Sequence, residues 1–295
     1  MRSFAIFLGL IALGFAGIAV LGYPAWLLVS PLLDNPKFSR IASRVGMLIL
    51  LVGFVLVARR LRVADRESLG YALPAPRFLA EVARATLLGA LLMLPILATM
   101  VLLDMRVLKT AMAPQFADWV GIVATGLVTG LVVALIEETF LRGAMQTAIT
   151  RESGAPLAIA LTSVVYASLH FVAGKYRVPP EQVNFGSGVD MLAEVLQRFA
   201  QPAAILDSFL CLCAVGVILG LVRHLTGNIA ACIGLHAGWV TVIFAVRETS
   251  QPSRGPAAWL MSDYDGFIGW MVLAWTAVIG WAVYLLYRKK AAPSS

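Results

Sequence analysis

Charge is what this sequence has least of. Asp, Glu, Lys and Arg together make up 13% of its 295 residues, whereas 60% are hydrophobic. A soluble core of this length needs a charged shell, so the composition excludes an ordinary soluble domain and implies a polytopic membrane protein. Cysteine is scarce as well. Cys211, Cys213 and Cys232 all lie in apolar stretches beyond the reach of an oxidising enzyme, which argues against a disulfide framework. On a helix Cys211 and Cys213 point roughly 200° apart, which spoils them as a metal pair and leaves them as small buried hydrophobes. The sequence has no repeat of domain-building length and no low-complexity tract. It also lacks an H-E-x-x-H, a G-x-S-x-G and a phosphate loop, so zincins, serine hydrolases and nucleotide-driven pumps are poor candidates.

What the chain does have is long apolar runs. Hydropathy gives about eight candidate spans, at 4–30, 41–58, 82–104, 119–149, 155–173, 203–223, 228–246 and 267–287. The expected fold class is therefore all-α, a polytopic transmembrane helical bundle. The first run is longer than the apolar region of a signal peptide and reads as a retained anchor. The net charge of +7 is spread beside the spans and is not gathered in one patch interleaved with aromatics, so it orients the chain and does not bind nucleic acid. The densest basic clusters, "RRLRVADR" at 59–66 and the terminal "RKK", place both termini in the cytoplasm of a cell (inner) membrane. Over all loops the bias is weak, with eleven Lys and Arg inside against ten outside, and Lys37, Arg40 and Arg44 oppose it. The longest connector, 174–202, begins "GKYRVPPEQVNFGSG" and ends in an amphipathic stretch, "DMLAEVLQRFAQ", with Met191, Leu192, Val195, Leu196 and Phe199 at helical spacing. That pattern predicts a helix in the membrane interface, an anchor sealing the bundle or a gate over a substrate path.

The chemistry lies in the few ionisable residues inside spans. An eighteen-residue stretch without charge, 119–136, runs into "LIEETFLRG". Such residues cost about 2.5–3.5 kcal/mol each at a span centre and usually face partners in the bundle. Glu138 and Arg142 share a helix face at i,i+4 with the acid first, so their charges can cancel. Glu137 points about 100° away and needs a partner from elsewhere. The breakers Gly154 and Pro156 in "TRESGAP" predict a hairpin that puts Glu137 and His170 at one depth, about 20 Å above the turn. The next turn, "RHLTGN", lets His236 rise about 15 Å. One acid and two of the three histidines in the chain can thus converge in one layer. A carboxylate beside an imidazole can deprotonate a water held between them. One Glu and two His are equally a ligand set for catalytic zinc, with a position left for water. The residues leave both open. Structural readings stand beside these: an ion pair for Glu138 and Arg142, interhelical hydrogen bonds for His170 and His236, a hydrogen bond or polar path lining for Asp207, and an interfacial role for His224.

Three motifs in order resemble a known family. "EETFLR" fits the E-E-x-x-x-R signature of the CAAX-protease and bacteriocin-processing (CPBP, or Abi) intramembrane proteases, "YASLH" fits its aromatic-x-x-x-His motif, and "HAGWV" lies where the family has His-x-x-x-Asn or Asp. The resemblance spans roughly 119–246. It divides the chain into N-terminal helices with a basic connector (1–118), a protease-like core (119–246) and a C-terminal helix with its tail (247–295). It implies that Glu137 and His170 activate the attacking water, that Glu138 with Arg142 braces the site, and that His236 holds the water or the developing oxyanion. It also implies a site opening toward the cytoplasmic half. One residue departs from the pattern: Val240 stands where the family has an amide or acid, and valine cannot donate a hydrogen bond. The expected function is an intramembrane endopeptidase acting on a membrane-associated or lipidated peptide or protein in the lipid bilayer, metal-free, with zinc on Glu137, His170 and His236 as the alternative. A catalytically silent scaffold or immunity protein is the competing reading, favoured by Val240. A proton-coupled transporter is the third, opposed by the lack of paired halves with matching broken helices.

Overall fold

A computed structural model describes residues 1–109, 116–172, 176–253 and 255–291, the side chains of 288–291 excepted. Parts of the loop readings, including Lys175, Arg254, the "RKK" side chains and most of the C-terminal tail, lie outside the described residues. The chain is an all-helical bundle, and among the described residues seven helices are long and apolar enough to cross a membrane. In order these are α1 (Arg2–Val29), α2 (Phe38–Arg60), α3 (Ala75–Leu92) continued by α4 (Leu94–Leu102), α5 (Phe116–Glu138) continued through a π turn (Thr139–Met145) into α6 (Gln146–Ser153), then after α7 (Ala155–His170) and α8 (Ser187–Phe199), α9 (Leu206–Thr226), α10 (Ala230–Thr249) and α11 (Trp270–Ala291). The eighth apolar helix, α7, has 16 residues and is the short one.

The breakers act where the sequence places them. Gly154, at φ +84°, ends α6, and Pro156 opens α7. Gly227, at φ +68°, ends α9 with its N–H on the Arg223 carbonyl, and the Asn228 side chain accepts the Ala230 N–H at the start of α10. The span expected at 82–104 is broken between α3 and α4 at Met93, because Pro95 lacks an N–H and its ring would meet the carbonyl four residues back. A two-stranded ribbon, β1 (Arg106–Leu108) antiparallel to β2 (Ser250–Pro252), ties two connectors that read as plain loops in the sequence. The amphipathic helix forms as α8. Met191 and Val195 are buried, and Met191 joins a cluster with Ile18, Trp26, Phe38 and Ile41 of α1 and α2.

Helix α10 is the centre of the bundle, packed on one side by α3 and on the other by α5. Small residues permit this. A Cβ on Gly234 would come 2.4 Å from the Val82 carbonyl oxygen and one on Gly238 would come 2.3 Å from that of Thr86, so the α3 and α10 backbones touch there. This small-x-x-x-small spacing is a membrane packing device, since helices in lipid associate by close van der Waals fit. Outward faces stay apolar and exposed, as at Leu48, Leu51, Leu56 and Leu102, which suits a hydrocarbon surround. The buried, central placement of α10 is what carries His236 into the interior.

Candidate active site

The long helix from α5 to α6 changes pitch at the residues that matter. Its π turn begins directly after Glu138 and carries Arg142, and such widened turns recur at functional positions because they re-aim side chains. Glu138 and Arg142 are both completely buried. The guanidinium lies 3.4 Å from each carboxylate oxygen, Nη1 to Oε1 and Nε to Oε2. Arg142 also donates from Nη2 to the Gly216 carbonyl of α9 at 3.2 Å, and Gln146, one turn on, donates to the Gly220 carbonyl at 2.9 Å. The pair is thus clamped to α9.

His236 completes the cluster from α10. Its Nδ1 lies 2.9 Å from Glu138 Oε1, and with a carboxylate as acceptor Nδ1 must carry the proton, which turns Nε2 away from the pair. Tyr166 of α7 stands between the two histidines. Its ring centroid is 4.4 Å from that of His170 and 6.0 Å, edge to face, from that of His236, and the Arg142 guanidinium sits 4.7 Å above its face. His170, half-buried at the end of α7, has Nδ1 2.8 Å from the Tyr166 carbonyl. A carbonyl only accepts, so Nδ1 is protonated here too and Nε2 keeps its lone pair in the neutral ring. Both histidines line a cavity of about 790 Å³, together with Tyr166, Trp239 and Val240.

Among the sequence-predicted residues the structure therefore brings together Glu138, Arg142 and His236, and sets His170 one aromatic ring away. Glu137 is not in that hydrogen-bonded group. It is Glu138, and not Glu137 as the depth argument expected, that meets an imidazole. The cause is angular: equal depth does not fix which way a side chain faces, and the packing of α10 against α5 turns His236 toward the Glu138 face. Glu137 is partly buried, and its Oε2 is sealed from solvent with no hydrogen-bond partner among the described residues. The described residues hold no group of three or more His, Cys, Asp or Glu placed to share a metal ion.

The cavity reaches residues that the motifs do not mark. Arg198 at the end of α8, the exposed Arg247 and Asp263, and Tyr264 and Asp265 form its polar rim, with Arg247 paired to Asp265 and the Tyr264 hydroxyl donating to the His170 carbonyl at 2.9 Å. Burial raises the Tyr264 phenol above its ordinary value, which keeps it a donor. Asp263, Tyr264 and Asp265 come from a connector, where periodicity gives no signal, while Arg198 and Arg247 stand in the last turns of α8 and α10. Asp207 lies in the first turn of α9, its Oδ1 accepting the Ser208 N–H, and His224 is exposed in the last turn of the same helix.

The rim also fixes which end of the bundle opens. Helix α7 starts at the turn after Glu152, which binds the Met1 amino group, and ends at His170, which binds Tyr264 of the rim. The mouth and the N-terminus are therefore at opposite ends.

Comparison with known proteins agrees with the motifs. Residues 119–242 match a family model described as type II CAAX prenyl endopeptidase Rce1-like. The matched stretch, under half of the chain, is similar to that family. The similarity is to CAAX-type proteases, and the seven helices long and apolar enough to cross a membrane among the described residues make the chain a multi-pass membrane protein. The Rce1-like segment begins in α5 and ends in α10, so it holds all three motifs and the entire Glu138, Arg142, Tyr166, His170 and His236 cluster, while α3, packed on α10, lies outside it. No curated protein and no solved structure matches the chain.

Proposed function

We propose that the protein is an intramembrane endopeptidase that hydrolyses a peptide bond near the C-terminus of a lipidated, CAAX-type protein or peptide. The observation that carries this reading is a pair of imidazoles lining one cavity, each with Nδ1 anchored and with no partner for Nε2 among the described residues, one of them held by the buried Glu138. In this reading water enters the cavity and gives its proton to the base formed by His170 Nε2 and Glu137 as its oxygen attacks the scissile carbonyl carbon. The unpartnered Glu137 Oε2 favours a water there, since a sealed carboxylate oxygen without a partner costs about 1–3 kcal/mol or more. The Glu138 carboxylate holds the His236 ring and stabilises its positive form, so that Nε2 can donate toward the developing oxyanion. Arg142 offsets the Glu138 charge and fixes the pair to α9. As the C–N bond breaks, the proton held by the base passes to the leaving amine. The apolar walls, such as Ile96, Leu212, Ile218 and Val272, suit a lipidated or apolar substrate segment, and the Arg198 and Arg247 rim suits its polar end.

The test is cleavage of a farnesylated peptide ending in C-a-a-X by purified protein in proteoliposomes. Wild type should release the C-terminal tripeptide, and Glu137→Gln should lose that activity while keeping its unfolding midpoint. Cleavage by Glu137→Gln at the wild-type rate would remove Glu137 from the mechanism. The silent-scaffold reading rests on Val240, and a wild type that cleaves nothing while holding a membrane partner would favour it.

A further inference from the structure

The geometry points to the Tyr166 hydroxyl as a further catalytic group, the hydrogen-bond donor to the oxyanion that Val240 cannot be. This rests on the hydrolase reading above. Val240 follows His236 by one turn and lines the same cavity, yet it offers only methyl groups. A tetrahedral oxyanion in a low-dielectric site needs preorganised donors, and losing one costs roughly 10²–10³ in rate.

The other candidates are committed elsewhere. Thr241 donates to the Ala237 carbonyl of its own helix at 2.7 Å, and Asn228 is spent at the start of α10, donating to the Thr226 carbonyl and accepting the Ala230 N–H. Neither lines the cavity. Of the hydroxyls that do, Thr276 donates to the Val272 carbonyl at 2.7 Å and Tyr264 to that of His170. The Trp239 indole N–H has no partner among the described residues but is sealed from the cavity. Tyr166 is different. The residue is 97% buried and its ring is clamped by Arg142, His170 and His236, yet its hydroxyl is neither hydrogen-bonded among the described residues nor sealed off. A rigid ring held against both imidazoles, with an O–H that has no partner among the described residues, is the preorganised donor that can stand beside His236 Nε2 where Val240 offers none.

Tyr166→Phe removes this oxygen and keeps the ring. With the farnesylated C-a-a-X peptide in proteoliposomes, the variant should lose about 100-fold in kcat. Its KM should stay within about twofold and its unfolding midpoint should not move, since a transition-state contact affects kcat and leaves substrate binding alone. Adding Val240→Asn should recover at least about tenfold, by placing an amide where the family has one. Wild-type kcat in Tyr166→Phe, a loss that follows KM or unfolding, or a double variant no faster than the single would each overturn the assignment. No cleavage by wild type would overturn the hydrolase reading, and this inference with it.

Discussion

Replacing Glu138 with Gln isolates the charge at the heart of the cluster. The carboxylate is fully buried, its side-chain partners among the described residues are Arg142 at 3.4 Å and His236 at 2.9 Å, and Arg142 is equally buried. The amide keeps an oxygen that can accept the His236 Nδ1–H, so the substitution removes charge and spares shape. It leaves a guanidinium without compensation in the bundle. Breaking a buried pair in this way costs about 3–5 kcal/mol, more than the worth of the pair itself, because the partner left behind stays desolvated. Arg142→Met should cost a similar amount for the converse reason. The double variant should lose at least about 2 kcal/mol less than the sum, since it leaves neither charge stranded. Reversible unfolding by SDS titration in mixed micelles reads all three. A loss under about 1 kcal/mol for Glu138→Gln, or additive losses, would refute the claim that the two charges are buried against one another.

Other consequences follow from the packing and the ends of the bundle. Gly238→Ala must push α3 from α10, because the new Cβ meets backbone at 2.3 Å; it should cost about 1–3 kcal/mol and reduce cleavage by displacing His236, whereas Gly121→Ala, with open space around it, should do neither. Outside the spans, hydrogen bonds from the Ser68 side chain and N–H hold the Asp65 carboxyl below its ordinary value. Its contribution is present above the unfolded value and is lost as pH falls through the lower folded value. Amide exchange at 65–71 should quicken over that acid range in wild type, and in Ser68→Ala it should already be fast at neutral pH. Single cysteines introduced at Arg2 and at Asp263 should react with a membrane-impermeant thiol reagent from opposite sides of sealed vesicles; labelling from one side would contradict the placement of the cavity mouth.

The spans were legible because lipid demands long apolar helices, and the two tight turns because Gly154, Pro156 and Gly227 leave the chain little alternative. The pairing of Glu138 with Arg142 was legible for the same local reason, one helix and one face. Which glutamate meets His236 was not. That depends on rotation about the helix axes, set by the Gly234 and Gly238 contacts with α3 and by the π turn after Glu138, and a rise per residue carries neither. Tyr166 was visible only as the aromatic of a motif, since its role depends on a vacant hydroxyl among occupied ones. The rim residues Asp263 and Asp265 were hidden because connectors have no period.

Hydrolysis in H₂¹⁸O tests the central claim most directly. Wild type given the farnesylated peptide should place one heavy oxygen in the new C-terminal carboxyl, and His170→Ala should yield no product above background. Product formed by His170→Ala at the wild-type rate would contradict the account.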